Sequence, residues 1–104
     1  MKRLFSTLAL AALALASQTA FSAEPSALYT QHCLSCHGAN RLGAMGPALL
    51  PESLERLKRK DALATIRDGR PATQMPAFGQ ILTGAEIEAL VDWIHTPVSP
   101  APTW

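Results

Sequence analysis

Several things are scarce in this chain of 104 residues. It has two cysteines, one tyrosine and two tryptophans, and aromatic residues make up only 6% of it. Two cysteines allow one disulfide at most, which excludes a scaffold stapled by several bridges. Charged residues reach 16%, nine basic against eight acidic, so the dense positive surface of a nucleic-acid binder is absent. No apolar run attains the ~20 residues that cross a bilayer. No stretch alternates convincingly as a β-strand, and no segment repeats. The length accommodates one small domain.

What is present is unevenly spread. Lys2 and Arg3 precede Leu4 to Ala16, a stretch almost wholly Leu, Ala, Phe, Ser and Thr, and small residues follow at Ala20, Ser22 and Ala23. That order is the pattern of a cleaved secretory signal peptide over residues 1–23, which directs the mature chain to the periplasm or an equivalent space. The expected domain is 24–96, followed by a Pro-rich tail over 97–104 carrying Pro97, Pro100 and Pro102. Removing 23 of the 104 residues leaves 81, with seven basic against eight acidic side chains and a formal charge of −1. Nothing in the mature chain predicts membrane insertion or nucleic-acid binding. A domain this small buries only about 60–65% of its unfolded surface and usually needs a staple such as a disulfide, a metal or a cofactor.

Cys33-Leu34-Ser35-Cys36-His37 supplies one. This is the C-x-x-C-H pattern of covalent c-type haem attachment. Thiols at i and i+3 of a helical turn share a face and reach the two vinyl groups of one porphyrin, while the next residue presents an imidazole to the iron. A thioredoxin-like redox pair would need a βαβ setting that the chain lacks. A structural zinc site would need four Cys or His ligands, and His32 and His95 have no finger spacing.

Haem iron in electron-transfer proteins takes a second axial ligand. The candidates are Met45, Met75, His32 and His95. Met75 precedes Pro76 in a loop with Pro71, stiff enough to hold an extended path across a porphyrin face. Met45, in the Gly43 to Pro47 turn, follows His37 too closely for an easy reach to the opposite side. His32 adjoins Cys33, and His95 closes the last helix, where a cation suits the dipole.

The spacing predicts a helix over Ser26 to His37 with Leu28, Tyr29, His32, Cys33 and Cys36 on one face, stopped by Gly38. A loop follows over Asn40 to Pro51, placing Pro47 where its carbonyl can accept the imidazole N–H. Glu52 to Lys60 is expected as a short helix with Leu54 and Leu57 inward and acid-first pairs Glu52–Arg56 and Glu55–Arg59 outside. Asp61 is expected to cap a helix over Ala62 to Asp68 that buries Leu63 and Ile66 and ends at Gly69. Thr83-Gly84-Ala85-Glu86 is a capping box opening a helix with the stripe Ile87, Leu90, Val91 and Ile94. Arg56, Lys58, Arg59, Lys60, Arg67 and Arg70 form a basic run, read either as a solvated face or as steering for an acidic partner.

With C-x-x-C-H near its start, a Gly-Pro turn after it, Met75-Pro76 further on and an amphipathic last helix, the mature chain resembles a class I c-type cytochrome. The resemblance implies an all-α fold of about four helices around one covalently bound haem. Cys33 and Cys36 would then be the thioether attachments and His37 and Met75 the axial iron ligands, with Leu28 or Tyr29 meeting Leu90, Val91 or Ile94 where the first and last helices cross. The runs Gly43 to Glu52 and Gly69 to Pro76 are similar to two narrower groups. One is the small monohaem cytochrome of the denitrification gene cluster, which accompanies the haem-cd nitrite reductase; the other is the cytochrome domain of dihydro-haem-d dehydrogenase. That likeness implies a periplasmic carrier of single electrons and not an enzyme, donating to nitrite reductase or accepting from the dehydrogenase in haem d maturation. The rival expectation is a haem-based gas sensor with a displaceable sixth ligand, against which the stiff Met-Pro loop speaks.

Overall fold

The structure, a computed structural model, describes residues 23–100. The leader expected over 1–23 lies outside the described residues but for Ala23, as do the last four residues of the expected tail. Among the described residues there are helices and turns and no strand.

The first helix, α1, runs over Pro25–His32. It opens on a proline whose ring presets the backbone angle at a position where no N–H is missed. The expected single helix to His37 is interrupted at Cys33, where φ is −118°, and resumes as α2, Leu34–His37. The hydrogen bonds nearly bridge the break, since the Cys33 N–H donates to the Tyr29 carbonyl at 2.8 Å and the His37 N–H to the Cys33 carbonyl at 2.9 Å. Gly38 then ends the helix with φ 82°, and a Cβ there would stand 2.5 Å from the Gly43 carbonyl oxygen, so only glycine fits.

The helix expected over Glu52 to Lys60 does not form. A 3-10 turn covers Pro51–Ser53 and irregular turns follow until α3, Arg59–Asp68. Neither acid-first pair is made; Arg59 instead reaches Asp92 at 3.1 Å and ties α3 to the last helix. Two such pairs offer only ~0.2–0.5 kcal/mol each, too little to nucleate a helix whose two leucines are drawn onto a common wall. Asp61 is correspondingly not a cap. Lys58 occupies that position without a side-chain bond, and Asp61 sits in the first turn, where its carboxylate still complements the dipole. The inward face of α3 also differs from expectation: Ala62 is fully buried, while Leu63 and Ile66 are only half-buried.

The last helix, α4, spans Gly84–Ile94 and opens on the expected capping box. The Glu86 N–H donates to Thr83 Oγ1 at 3.1 Å, and the Thr83 N–H donates to Glu86 Oε1 at 2.9 Å. Ile87, Leu90, Val91 and Ile94 are all buried as the stripe predicts. Leu90 and Val91 lose essentially all contact with water, worth about 1.5–3 kcal/mol for each side chain. Leu28 and Tyr29 of α1 join Ile87 and Leu90 of α4 in one core with Phe78 and Leu82, as the expected crossing of first and last helices requires. The fold is therefore the class I cytochrome c arrangement, with α1 and α3 both packed on α4.

Candidate functional site

Between the helices and the two long loops lies a cavity of about 770 Å³. That is in the range of small-molecule and cofactor sites. Its walls are mostly apolar, including Leu54 and Leu57 from the turns after Pro51, Ile66 from α3, and Leu90 and Ile94 from α4. Cys33, Cys36, His37 and Met75 all border it, so the expected site residues converge on one space.

His37 is the most constrained of the four. It is 9% exposed, and its Nδ1 lies 2.7 Å from the Pro47 carbonyl oxygen. A carbonyl only accepts, so Nδ1 carries the proton and Nε2 keeps a free lone pair suited to a metal. The turn that brings Pro47 there is stitched to the histidine's own backbone. The Gly43 N–H donates to the His37 carbonyl and the Gly46 N–H to the Cys36 carbonyl, both at 2.7 Å. A Cβ on Gly46 would stand 3.0 Å from the imidazole Cε1 and Nδ1, so glycine lets the turn lie flat against the ring. Tyr29, also on the cavity wall, donates its hydroxyl to the Gly38 carbonyl, and burial pushes its pKa up to about 12.

Cys33 and Cys36 are free, half-buried thiols. Burial first, and the neighbouring Cys36 second, push the Cys33 pKa up to about 11. A thiol so raised is a poor redox nucleophile at neutral pH, opposite to the lowered value of a thioredoxin-like pair.

Met75 is half-buried in the loop after α3. Its N–H donates to Thr73 Oγ1 at 3.2 Å, and its carbonyl accepts from the Arg70 N–H at 3.2 Å. Gly69, with φ 71°, opens this loop; a Cβ there would meet the Met75 carbonyl oxygen at 2.8 Å. The other candidates are placed differently. Met45 touches the cavity rim but is 76% exposed. His32 borders the cavity from the Cys33 side and stands edge-on to Phe78 at 5.7 Å. His95 does not line the cavity; its Nδ1 faces the Val91 carbonyl of the preceding turn at 2.7 Å.

The polar rim consists of Ser53, Arg56, Arg70, Thr73 and Gln74. Sequence reasoning missed one buried group altogether, Arg41, which is 2% exposed. A lone arginine in a glycine-flanked loop carries no pattern by which it would be found.

Comparison with known proteins agrees with this geometry. The family described as cytochrome c oxidase, cbb3-type, subunit III matches residues 20–94. The dihydro-heme d1 dehydrogenase of Pseudomonas aeruginosa is 50% identical over 97 residues, which cover 93% of this chain and 20% of that protein. The solved structure of dihydro-heme d1 dehydrogenase NirN in complex with DHE superposes with a TM-score of 0.76 at 51% identity, over 79% of this chain and 18% of that one. The c-type cytochrome NirC gives a TM-score of 0.65 at 39% identity, over 68% of this chain and 84% of that one. This chain thus spans about a fifth of the dehydrogenase and most of the small cytochrome.

Proposed function

The chain belongs to the c-type cytochromes, and we propose that it acts among them as a periplasmic carrier of single electrons with one covalently held haem. The family's cofactor is haem, and the cavity suits it: apolar walls, a buried imidazole with a free Nε2, two free thiols and a thioether on one space. That convergence is the observation that carries the reading. On it, Cys33 and Cys36 would hold the haem as thioethers, and His37 Nε2 and the Met75 sulfur would ligate its iron.

The bound iron would supply a one-electron ferric–ferrous couple. The residues do the rest. The Pro47 carbonyl fixes the His37 tautomer and ring orientation. The apolar walls contributed by Leu54, Leu57, Leu90 and Ile94 keep water from the centre. A methionine sulfur as second ligand favours the ferrous state and sets a higher potential than a second histidine would. Two ligands that stay in place let an electron pass without ligand exchange, so no substrate pocket or general base is required, and the protein is a carrier and not an enzyme.

Visible spectra of the purified protein in both redox states test the ligation, and acid–acetone extraction tests the attachment. Colour that stays with the protein and a long-wavelength iron–thioether band are expected; colour that extracts freely defeats the covalent reading. Periplasmic location rests on the leader pattern over 1–23, and among the described residues no helix is long and apolar enough to cross a membrane. The finer role is supported by similarity to the two denitrification-cluster proteins. The reduced protein donates to haem-cd nitrite reductase, or the oxidised protein accepts from dihydro-haem-d dehydrogenase. Stopped-flow mixing with each, against an unrelated His/Met cytochrome of similar potential, should show faster transfer for one of them; equal rates would leave only the general carrier.

A further inference from the structure

The turn that carries Pro47 is anchored by a group outside every motif. Arg41 is 2% exposed, and no carboxylate among the described residues pairs with it. Its guanidinium is satisfied by main chain instead. Nη1 donates to the Leu49 carbonyl at 3.2 Å and to the Trp93 carbonyl at 3.0 Å, and Nη2 donates to the Thr96 carbonyl at 2.7 Å. Its Cζ stands 4.5 Å over the Trp93 ring. Burying a cation is expensive unless such partners replace water. The Trp93 and Thr96 carbonyls suit the task, because they lie at the negative pole of the α4 dipole; the Trp93 carbonyl also accepts from the Thr96 N–H at 3.0 Å.

The backbone at this point is also held out of its preferred range. Asn40 and Arg41 have φ of 54° and 61°, in the left-handed region that costs a non-glycine residue about 1–2 kcal/mol. Such a conformation persists only where its surroundings over-determine it. Here the Leu49 N–H donates to the Arg41 carbonyl at 2.9 Å while the Arg41 side chain donates back to the Leu49 carbonyl. Residues 41 and 49 are thus joined twice, and the segment between them carries Gly46 and Pro47, the two residues that press on the His37 ring.

We infer that Arg41 is a positioning residue for His37: by clamping both ends of the 42–48 loop and tying them to the end of α4, it holds the Pro47 carbonyl on the imidazole and so sets that ligand's donor strength. The inference rests on His37 being the iron ligand. An N–H held firmly to a carbonyl makes the imidazole more basic and favours ferric iron, so slackening the bond raises the potential. Removing a buried positive charge acts in the opposite direction, lowering it. Arg41→Lys separates the two effects, because it keeps the charge and loses the planar fork that grips three carbonyls.

The test compares full-length haem-loaded wild type with Arg41→Lys and Arg41→Gln, reading the reduction potential and hydrogen exchange. In Arg41→Lys the potential should rise. The His37 Nδ1 proton and the Gly46 and Leu49 amides should exchange about tenfold faster or more, as loss of hydrogen bonds from a charged donor implies, while interior α4 amides such as that of Val91 keep the wild-type rate. Arg41→Gln should show the same local exchange with a lower potential than Arg41→Lys. An Arg41→Lys protein whose potential or local exchange matches wild type, or whose α4 amides speed up equally, overturns the assignment, and this variant suffices if Arg41→Gln does not fold. Failure of the ligand reading is visible separately: wild-type His37 ring signals without the shifts of an iron-bound imidazole would remove it whatever Arg41 does.

Discussion

The two sides of the cavity are built differently. On the His37 side, a buried ring is bonded to Pro47, the turn beneath it is bonded to the Cys36 and His37 backbone at 2.7 Å, and a buried arginine ties the loop to α4. On the Met75 side, the loop is held by exposed, local bonds among Arg70, Thr73 and Met75, three of them 3.2 Å long. Downstream it is anchored more firmly, where the Phe78 and Gly79 N–H groups donate to carbonyls at the end of α3 at 2.9 Å. Bonds shielded from water open rarely, whereas exposed ones compete with solvent continually. One side is therefore rigid in advance and the other yields first, which on the proposed reading would put His37 on the firmer side of the iron and Met75 on the looser.

The largest test removes the covalent hold proposed for the rigid side. Replacing both Cys33 and Cys36 with alanine should leave no haem on the protein after acid–acetone extraction, and with so small a core the domain should lose cooperative unfolding when followed by circular dichroism. Met75→Ala attacks the yielding side alone. It should retain its haem while losing the iron–thioether band and gaining carbon monoxide binding in the reduced state, whereas Met45→Ala should do neither. An intact band in the Met75 variant would reassign the ligand.

Two glycines sharpen the contrast at smaller cost. Gly46→Ala places a Cβ 3.0 Å from the His37 ring, and Gly69→Ala places one 2.8 Å from the Met75 carbonyl at a positive φ. Each should cost about 1–3 kcal/mol in denaturant unfolding. They should differ in kind: Gly46→Ala should shift the potential without admitting carbon monoxide, and Gly69→Ala should admit it. Thr83→Ala, at a residue that does not line the cavity, should cost ~1 kcal/mol by losing the cap and leave the spectrum alone.

The smallest effect concerns the rim. Of the basic run, Arg59 is paired with Asp92 and Arg67 with Asp68, while Arg56 and Arg70 edge the cavity and Lys58 and Lys60 stay exposed. If these four steer an acidic partner, electron transfer should slow as salt rises and slow again in a Lys58→Glu/Lys60→Glu variant. Rates indifferent to both changes would return the run to a solvated surface.

How far the site could be read in advance follows from the range of the interactions. The C-x-x-C-H turn, the Gly38 and Gly69 stops, the Thr83–Glu86 box and the α4 stripe were legible, because each depends on neighbours within about four positions and on side-chain type. The segment from Glu52 to Lys60 was misread for the same reason: its local pairs look helical, yet they are weaker than the pull of Leu54 and Leu57 onto the cavity wall and of Arg59 toward Asp92.

By itself, then, the amino-acid order determined an all-helical chain with two thiols and an imidazole on one turn and a methionine in a stiff loop. Tertiary structure decided how far each cavity-lining methionine is shielded, leaving Met75 half-buried and Met45 76% exposed. The Pro47 carbonyl on the His37 ring was expected from its place in the turn, whereas only the folded chain shows that Arg41 reaches carbonyls 52 and 55 positions away. Contacts at such separations leave no periodic trace, because they depend on how the chain closes its loops and not on the repeat of any one element.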